Sequence, residues 1–88
     1  MQAKIADAVG LLEEFGTALR MPYSEYMGDG IFQLRAQSAG NAARVLYFFV
    51  AGENAYLTNG FLKKTPRTPA GELATAKRYR ADFLNRQE

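Results

Sequence analysis

Apolar and polar positions alternate along the chain in a way that predicts two helices and three strands. The most apolar stretch is residues 45–51, Val-Leu-Tyr-Phe-Phe-Val-Ala, where every position is apolar. A run of this kind predicts a central strand buried on both faces. Residues 52–54 supply the turn after it, and residues 55–62 the return strand. Before it, residues 31–37 alternate. Phe32, Leu34 and Ala36 fall on one face and Gln33, Arg35 and Gln37 on the other, the pattern of a strand with one wet side. Residues 38–41 read as a Gly-containing hairpin loop, so the three strands form an antiparallel meander.

Helical spacing frames this sheet. In residues 2–16, Ile5, Val9, Leu12 and Phe15 recur at intervals of three and four, and Gly16 is placed to stop the helix. Residues 70–86 repeat the pattern with Leu73, Ala76, Tyr79, Phe83 and Leu84, after Thr68-Pro69 as N-cap and first helical residue. Residues 17–30, with Pro22 and the Gly28-Asp29-Gly30 turn signal, read as an ordered connector. The expectation is an α+β fold, a single domain over residues 1–88, with both helices covering the sheet face that holds Phe32 and Leu34.

Composition narrows the chemistry. The 88 residues contain no Cys and no His, which excludes disulfides, thiolate nucleophiles, the usual zinc sites and imidazole acid–base catalysis. Catalysis would have to use Lys, Arg, Tyr or a carboxylate. No stretch approaches the roughly 20 apolar residues of a membrane span, and the start lacks a signal-peptide apolar region, so cytoplasmic residence without membrane contact is expected. The net charge of +2 hides an asymmetry: residues 1–30 carry two cations and five anions, residues 31–88 nine cations and four anions. The densest cationic stretch follows the return strand, where Lys63, Lys64 and Arg67 are spaced by Pro66 and Pro69. The prolines stiffen this loop, which reads as an anion-binding element.

Several segments, in order, resemble the RelE/HigB-like toxins of bacterial type II toxin–antitoxin systems, in particular their phage-derived branch. Ile31-Phe32-Gln33-Leu34-Arg35 looks like that family's (L/I)-(Y/W)-E-L-R strand, and Arg44-Val45-Leu46-Tyr47-Phe48-Phe49-Val50 like its R-(V/I)-L-(Y/F)-F strand. Gly60-Phe61-Leu62-Lys63-Lys64-Thr65-Pro66-Arg67-Thr68-Pro69 looks like its (H/G)-F-x-K-(K/R)-T-(Q/P)-(K/R)-T-P loop, the most specific part of the match. Glu72, Ala76, Lys77 and Arg78 fit the final helix, while Leu11 to Gly16 and Pro22-Tyr23 fit the second helix of such toxins and the turn after it. Two departures stand out. Such toxins usually begin with a strand and a helix ahead of the segment matching residues 2–16, so a shortened form, or a partner that supplies the missing strand, is expected. An unpaired sheet edge would then invite a homo-oligomer. Asn59 also stands where many relatives have a His, and it can hydrogen-bond but cannot take a proton.

The resemblance implies a ribosome-dependent mRNA endonuclease that blocks translation without metal or cofactor, by attack of a 2′-OH on the adjacent phosphate. Arg44, Lys63 and Lys64, with Arg35 beside them, are the residues expected to stabilise the phosphate, and Lys63 or Lys64 could transfer a proton because neighbouring cations lower a lysine's pKa. Tyr79 and Glu53 are further candidates for proton transfer. Arg67, Phe61, Lys77, Arg78 and Tyr79 are candidates for RNA contact. Plainer roles compete: solvated sheet arginines for Arg35 and Arg44, strand-ending gatekeepers for Lys63 and Lys64, and core packing for Phe61 and Tyr79. The partners implied are mRNA, the ribosome and a cognate antitoxin, often of helix-turn-helix type. Two other functions remain open on sequence grounds, a non-catalytic binding module and a ParE-type gyrase poison that shares the fold.

Overall fold

The computed structural model describes residues 2–52, 54–64 and 66–86. Helix α1 (Gln2–Phe15) leads through a short 3-10 turn (Gly16–Ala18) into strands β1 (Ser24–Gly28), β2 (Ile31–Ser38), β3 (Asn41–Val50) and β4 (Asn54–Leu62), and helix α2 (Ala70–Arg86) follows. The strands form one antiparallel sheet in the order β1-β2-β3-β4. The class is therefore α+β, with four strands where the sequence pattern predicts three.

The additional strand lies inside the stretch read as a connector. Asp29 and Gly30 take positive φ values of 51° and 80°, the conformation of a two-residue hairpin turn, and Gly28 pairs with Ile31 across it. β1 escapes detection because its inward residue is polar. Ser24 is buried, and its hydroxyl is satisfied by a hydrogen bond with the Tyr47 hydroxyl. The loop expected over residues 38–41 shortens for a similar reason. Ala39 and Gly40 make the same kind of tight turn, at φ 48° and 85°, so Ser38 and Asn41 pair as strand residues. Glu53 and Thr65 lie outside the described residues.

β3 lies between β2 and β4 and is buried on both faces, as expected. Ala43, Tyr47 and the partly buried Val45 and Phe49 pack with Leu34, Ala36, Ala8, Leu12 and Leu19 beneath α1. Leu46 and Phe48 pack with Ile31 and Ala76 beneath α2. The helices thus cover opposite faces, which corrects the expectation that both lie over Phe32 and Leu34. A strand apolar at every position needs an apolar layer on each side, and two helices on one face would leave Leu46, Phe48 and Ile31 in water.

The ends of the helices follow local chemistry. Gly16, at φ 54°, stops α1 in the left-handed conformation that glycine adopts cheaply. α2 begins at Ala70, and the Pro69 carbonyl accepts from the Leu73 amide. Thr68 does not cap this helix. Its hydroxyl donates to Gln33 Oε1 at 2.8 Å, which ties the segment ahead of α2 to β2.

The Ser24–Tyr47 pair supports a stability prediction. Burial, the largest cause, pushes the Tyr47 phenol up from its ordinary value, while the Ser24 hydrogen bond and the charge of Arg20 act the other way. For a raised folded-state pKa, the stabilisation is present below the unfolded value of about 10 and is lost as pH climbs through the folded value. Tyr47→Phe, which leaves Ser24 Oγ buried without its partner, should cost about 1–3 kcal/mol at neutral pH. The difference from wild type should shrink above about pH 10. Urea denaturation of both proteins across neutral and alkaline pH measures this, and a constant gap would remove Tyr47 ionisation from the account.

Candidate anion-binding site

The site is assembled by register. On the α2 side of the sheet, Glu25 of β1 stands opposite Gln33 of β2, Arg35 of β2 opposite Arg44 of β3, and Arg44 opposite Phe61 of β4. The Lys63 amide extends the ladder past the end of β4 by donating to the Ala42 carbonyl at 2.7 Å.

A β-bulge decides which residues of β4 share this face. Leu57 pairs with Tyr47 and Gly60 with Val45, so three residues of β4 span an interval that β3 covers in two. Side chains alternate along a strand, and one inserted residue reverses the faces of everything beyond it. Ala55 and Leu57 lie on the α1 side, and a regular strand would continue with Phe61 and Lys63 on that side too. The bulge turns Phe61 and Lys63 to the face of Arg44. Thr58 lies within it, its Oγ1 3.1 Å from the Leu46 carbonyl and 2.7 Å from Asn59 Oδ1. Asn59 Nδ2 donates to Glu72 Oε1 at 2.8 Å and to the Glu72 carbonyl at 3.1 Å. Asn59 thus fastens the first turn of α2 to the sheet.

The charges are layered. Arg44 is only 4% exposed, and its Nη1 donates to the Ala43 carbonyl at 2.8 Å. Arg35 and Glu25 are more open and face each other at 3.6 Å, Nη1 to Oε1. Burial, then repulsion from Arg35, lowers the Arg44 pKa, with Glu25 opposing both, and a guanidinium still keeps its proton at neutral pH. Lys63 is lowered by burial first and then by Arg44 and Arg35, again against Glu25. A lysine so placed gives up its proton more readily than an exposed one.

Of the residues singled out in the sequence, Arg35, Arg44 and Lys63 converge here. Lys64 is exposed and joins Lys63 in lining a cavity of about 350 Å³ beside the β2–β3 turn, and Arg67 is exposed in the segment ahead of α2. Phe61 shares the face of Arg44 but packs on the Ile31, Leu46, Phe48 and Ala76 cluster. Lys77 pairs with Asp29 at 3.0 Å, at the opposite end of β2 from Arg35. Tyr79 lines a separate apolar cavity of about 320 Å³ with Phe48, Tyr56 and Phe83, and Arg78 is its exposed neighbour on α2. Glu53 lies outside the described residues.

Three contributors escape sequence reading: Glu25, the carboxylate among these cations; Gln33, read only as a wet-face residue; and Thr68, read as a helix cap. Counting back from the Asp29-Gly30 turn as a regular hairpin would place Glu25 opposite Leu34, on the other face of the sheet, and it is the register shift between Tyr26 and Gly28 that brings Glu25 opposite Gln33.

No curated protein sequence matches the chain. Residues 1–81 do match a described family, and on that match the chain belongs to the phage-derived Gp49-like proteins (DUF891).

Proposed function

We propose that this chain is a toxin of the RelE/HigB kind, which cleaves mRNA on the ribosome and is held in check by an antitoxin. Membership of the Gp49-like family is compatible with a toxin-like role. The observation that carries the cleavage reading is the convergence of Arg35, Arg44, Lys63 and Glu25 on one sheet face, from four different strands or strand ends. These residue types fill the three roles that internal RNA transesterification requires.

In this mechanism the scissile phosphate docks against Arg35 and Arg44, whose fixed charge meets the negative charge that grows on the pentacoordinate phosphorus. Arg35 leaves Glu25 to make that contact, and the released carboxylate takes the proton of the attacking 2′-OH. The O2′–P bond forms and the P–O5′ bond breaks. Lys63 then gives its proton to the departing 5′ oxygen, a transfer that its lowered pKa favours. The products are a 2′,3′-cyclic phosphate and a 5′-hydroxyl, and no metal or cofactor takes part. The partners in this reading are mRNA, the ribosome and a cognate antitoxin of helix-turn-helix type, all in the cytoplasm.

One observation favours a second reading. Arg44 is nearly closed to solvent and bonded to its own strand, as a structural arginine would be. The chain could then bind RNA through Arg35, Lys63 and Lys64 without cutting it.

The two readings differ in measurable ways. Single-turnover cleavage on translating ribosomes should produce new mRNA ends with the wild-type chain. Lys63→Arg should slow it about 100-fold to 10,000-fold, because a guanidinium keeps its proton at any working pH. The sign of the pH effect follows from Lys63 acting as the acid: the wild-type rate falls as alkaline pH deprotonates Lys63, at a pH below that of an ordinary lysine, and Lys63→Arg loses this fall. Wild-type rates in Lys63→Arg would remove Lys63 from proton transfer.

Binding alone predicts a different result. RNA would associate with a log K against log salt slope of roughly −2, at about −0.7 for each of three phosphates, while no new ends form. A slope near zero would dismiss the binding reading as well.

A further inference from the structure

Gln33 and Arg44 are 1% and 4% exposed, and each keeps a nitrogen without an acceptor, Nε2 of Gln33 and Nε of Arg44. They are diagonal neighbours on one face, since Arg35 pairs with Arg44 and Gln33 with Leu46. Buried donors left in this state are uncommon in folded proteins, and each calls for a physical explanation. Among the described residues the surroundings do not supply an acceptor. Arg35 and Lys63 are donors themselves, and the carboxylate of Glu25 is turned to Arg35. The Thr68 hydroxyl occupies Oε1 of the Gln33 amide and so leaves the NH₂ end as its open side. Two buried donors on diagonal positions of one face, with no acceptor of their own among the described residues, suit one kind of ligand atom, an oxygen bearing negative charge.

We propose that Gln33 Nε2 and Arg44 Nε together bind one non-bridging oxygen of a phosphodiester, and that Thr68 is the positioning residue that orients the Gln33 amide for it. The inference rests on the RNA-cleaving reading and names the donors that meet the reacting phosphate. Entry is through the outer pair. Glu25 stands across from Gln33 and Arg35 across from Arg44, with side chains 44% and 29% exposed and 3.6 Å apart. An exposed ion pair of that length is weak, so an incoming phosphate can take Arg35 from Glu25 and reach the two donors behind it.

The test uses the full chain, with inorganic phosphate as the probe. The ¹⁵N–¹H resonances of the Gln33 side-chain amide and of Arg44 Nε–H should shift together and saturate as phosphate is added. Gln33→Leu, which removes the donor without adding charge, should weaken phosphate binding by about tenfold or more, and Thr68→Val should reduce the shift of the Gln33 amide. In single-turnover cleavage, Gln33→Leu should lower the rate about 100-fold to 1,000-fold, the usual loss for one oxyanion donor, while RNA affinity changes little. Resonances that stay fixed while Arg35 or Lys63 respond would put phosphate on the rim only. Exchange with a single buried water, insensitive to phosphate, would mean that a solvent molecule satisfies the pair. Either result overturns the proposal. Saturable shifts in a chain that cuts no RNA would uphold this site and overturn the cleavage reading instead.

Discussion

The burial of β3 on both faces is the constraint on which the rest of the structure depends. Residues 45–50 are apolar at consecutive positions, and Leu46 and Tyr47, adjacent in sequence, point to opposite sides of the sheet with essentially no exposure. Neither can be buried by the same layer. The sheet therefore needs α1 over Tyr47 and α2 over Leu46, and it needs β2 and β4 as neighbours to satisfy the β3 backbone. Arg44 inherits its place from this arrangement. It continues the face of Leu46 and Phe48 at the point where the apolar run ends, so the packing that buries those two side chains also draws a guanidinium out of water.

The bulge in β4 links that core to the charged face. Without the extra residue between Leu57 and Gly60, the core contact of Phe61 with Leu46 and Ala76 would be lost together with the approach of Lys63 to Arg44. Core packing and site assembly thus depend on one local irregularity. Its position is held by several bonds, Thr58 to the β3 carbonyl of Leu46 and Asn59 to the first turn of α2. The same bonds fix where α2 starts. From Gln33 and Asn59 the helix runs toward Phe48 and Tyr56, away from Arg35 and Arg44, and leaves the charged end of the sheet without a helical cover.

What the sequence made legible was what hydrophobic periodicity encodes. Both helices lie within a residue or so of the expected limits, and the three strands with apolar patterns were read with the correct pairing. β1 was not, because its burial rests on Ser24, a polar residue whose cost is removed by a partner 23 positions away. Periodicity records which residues are apolar and carries no trace of such a distant hydrogen bond. The placement of α2 was misjudged for another reason: Gln33 and Arg35 made one face of β2 look wet, although Ile31 at its start and Leu46 beside it required cover. At the site, Arg35, Arg44 and Lys63 were found as cations near one another in the sheet, whereas Glu25 depended on the missed strand and Lys63 over Lys64 depended on the bulge. A bulge shifts pairing by one residue, and Gly60, a glycine inside a strand pattern, is the local sign that could have marked it.

Gathering three cations on one face raises the free energy of the fold, and the structure shows how that cost is contained. Arg44 takes the greatest desolvation, and it is the cation whose delocalised charge tolerates burial best. Lys63, the more strongly hydrated ammonium, is left partly exposed at the end of its strand. Glu25 lowers the repulsion from the open side without entering the buried layer, where Gln33, neutral and isosteric with a glutamate, stands instead. With an amide at position 33, the buried layer holds no carboxylate among the described residues, and the acid that faces these cations is the partly exposed Glu25, 3.6 Å from Arg35. The positive character of this face is therefore set by where Glu25 stands, on the edge strand and at the surface, as much as by the number of bases around it.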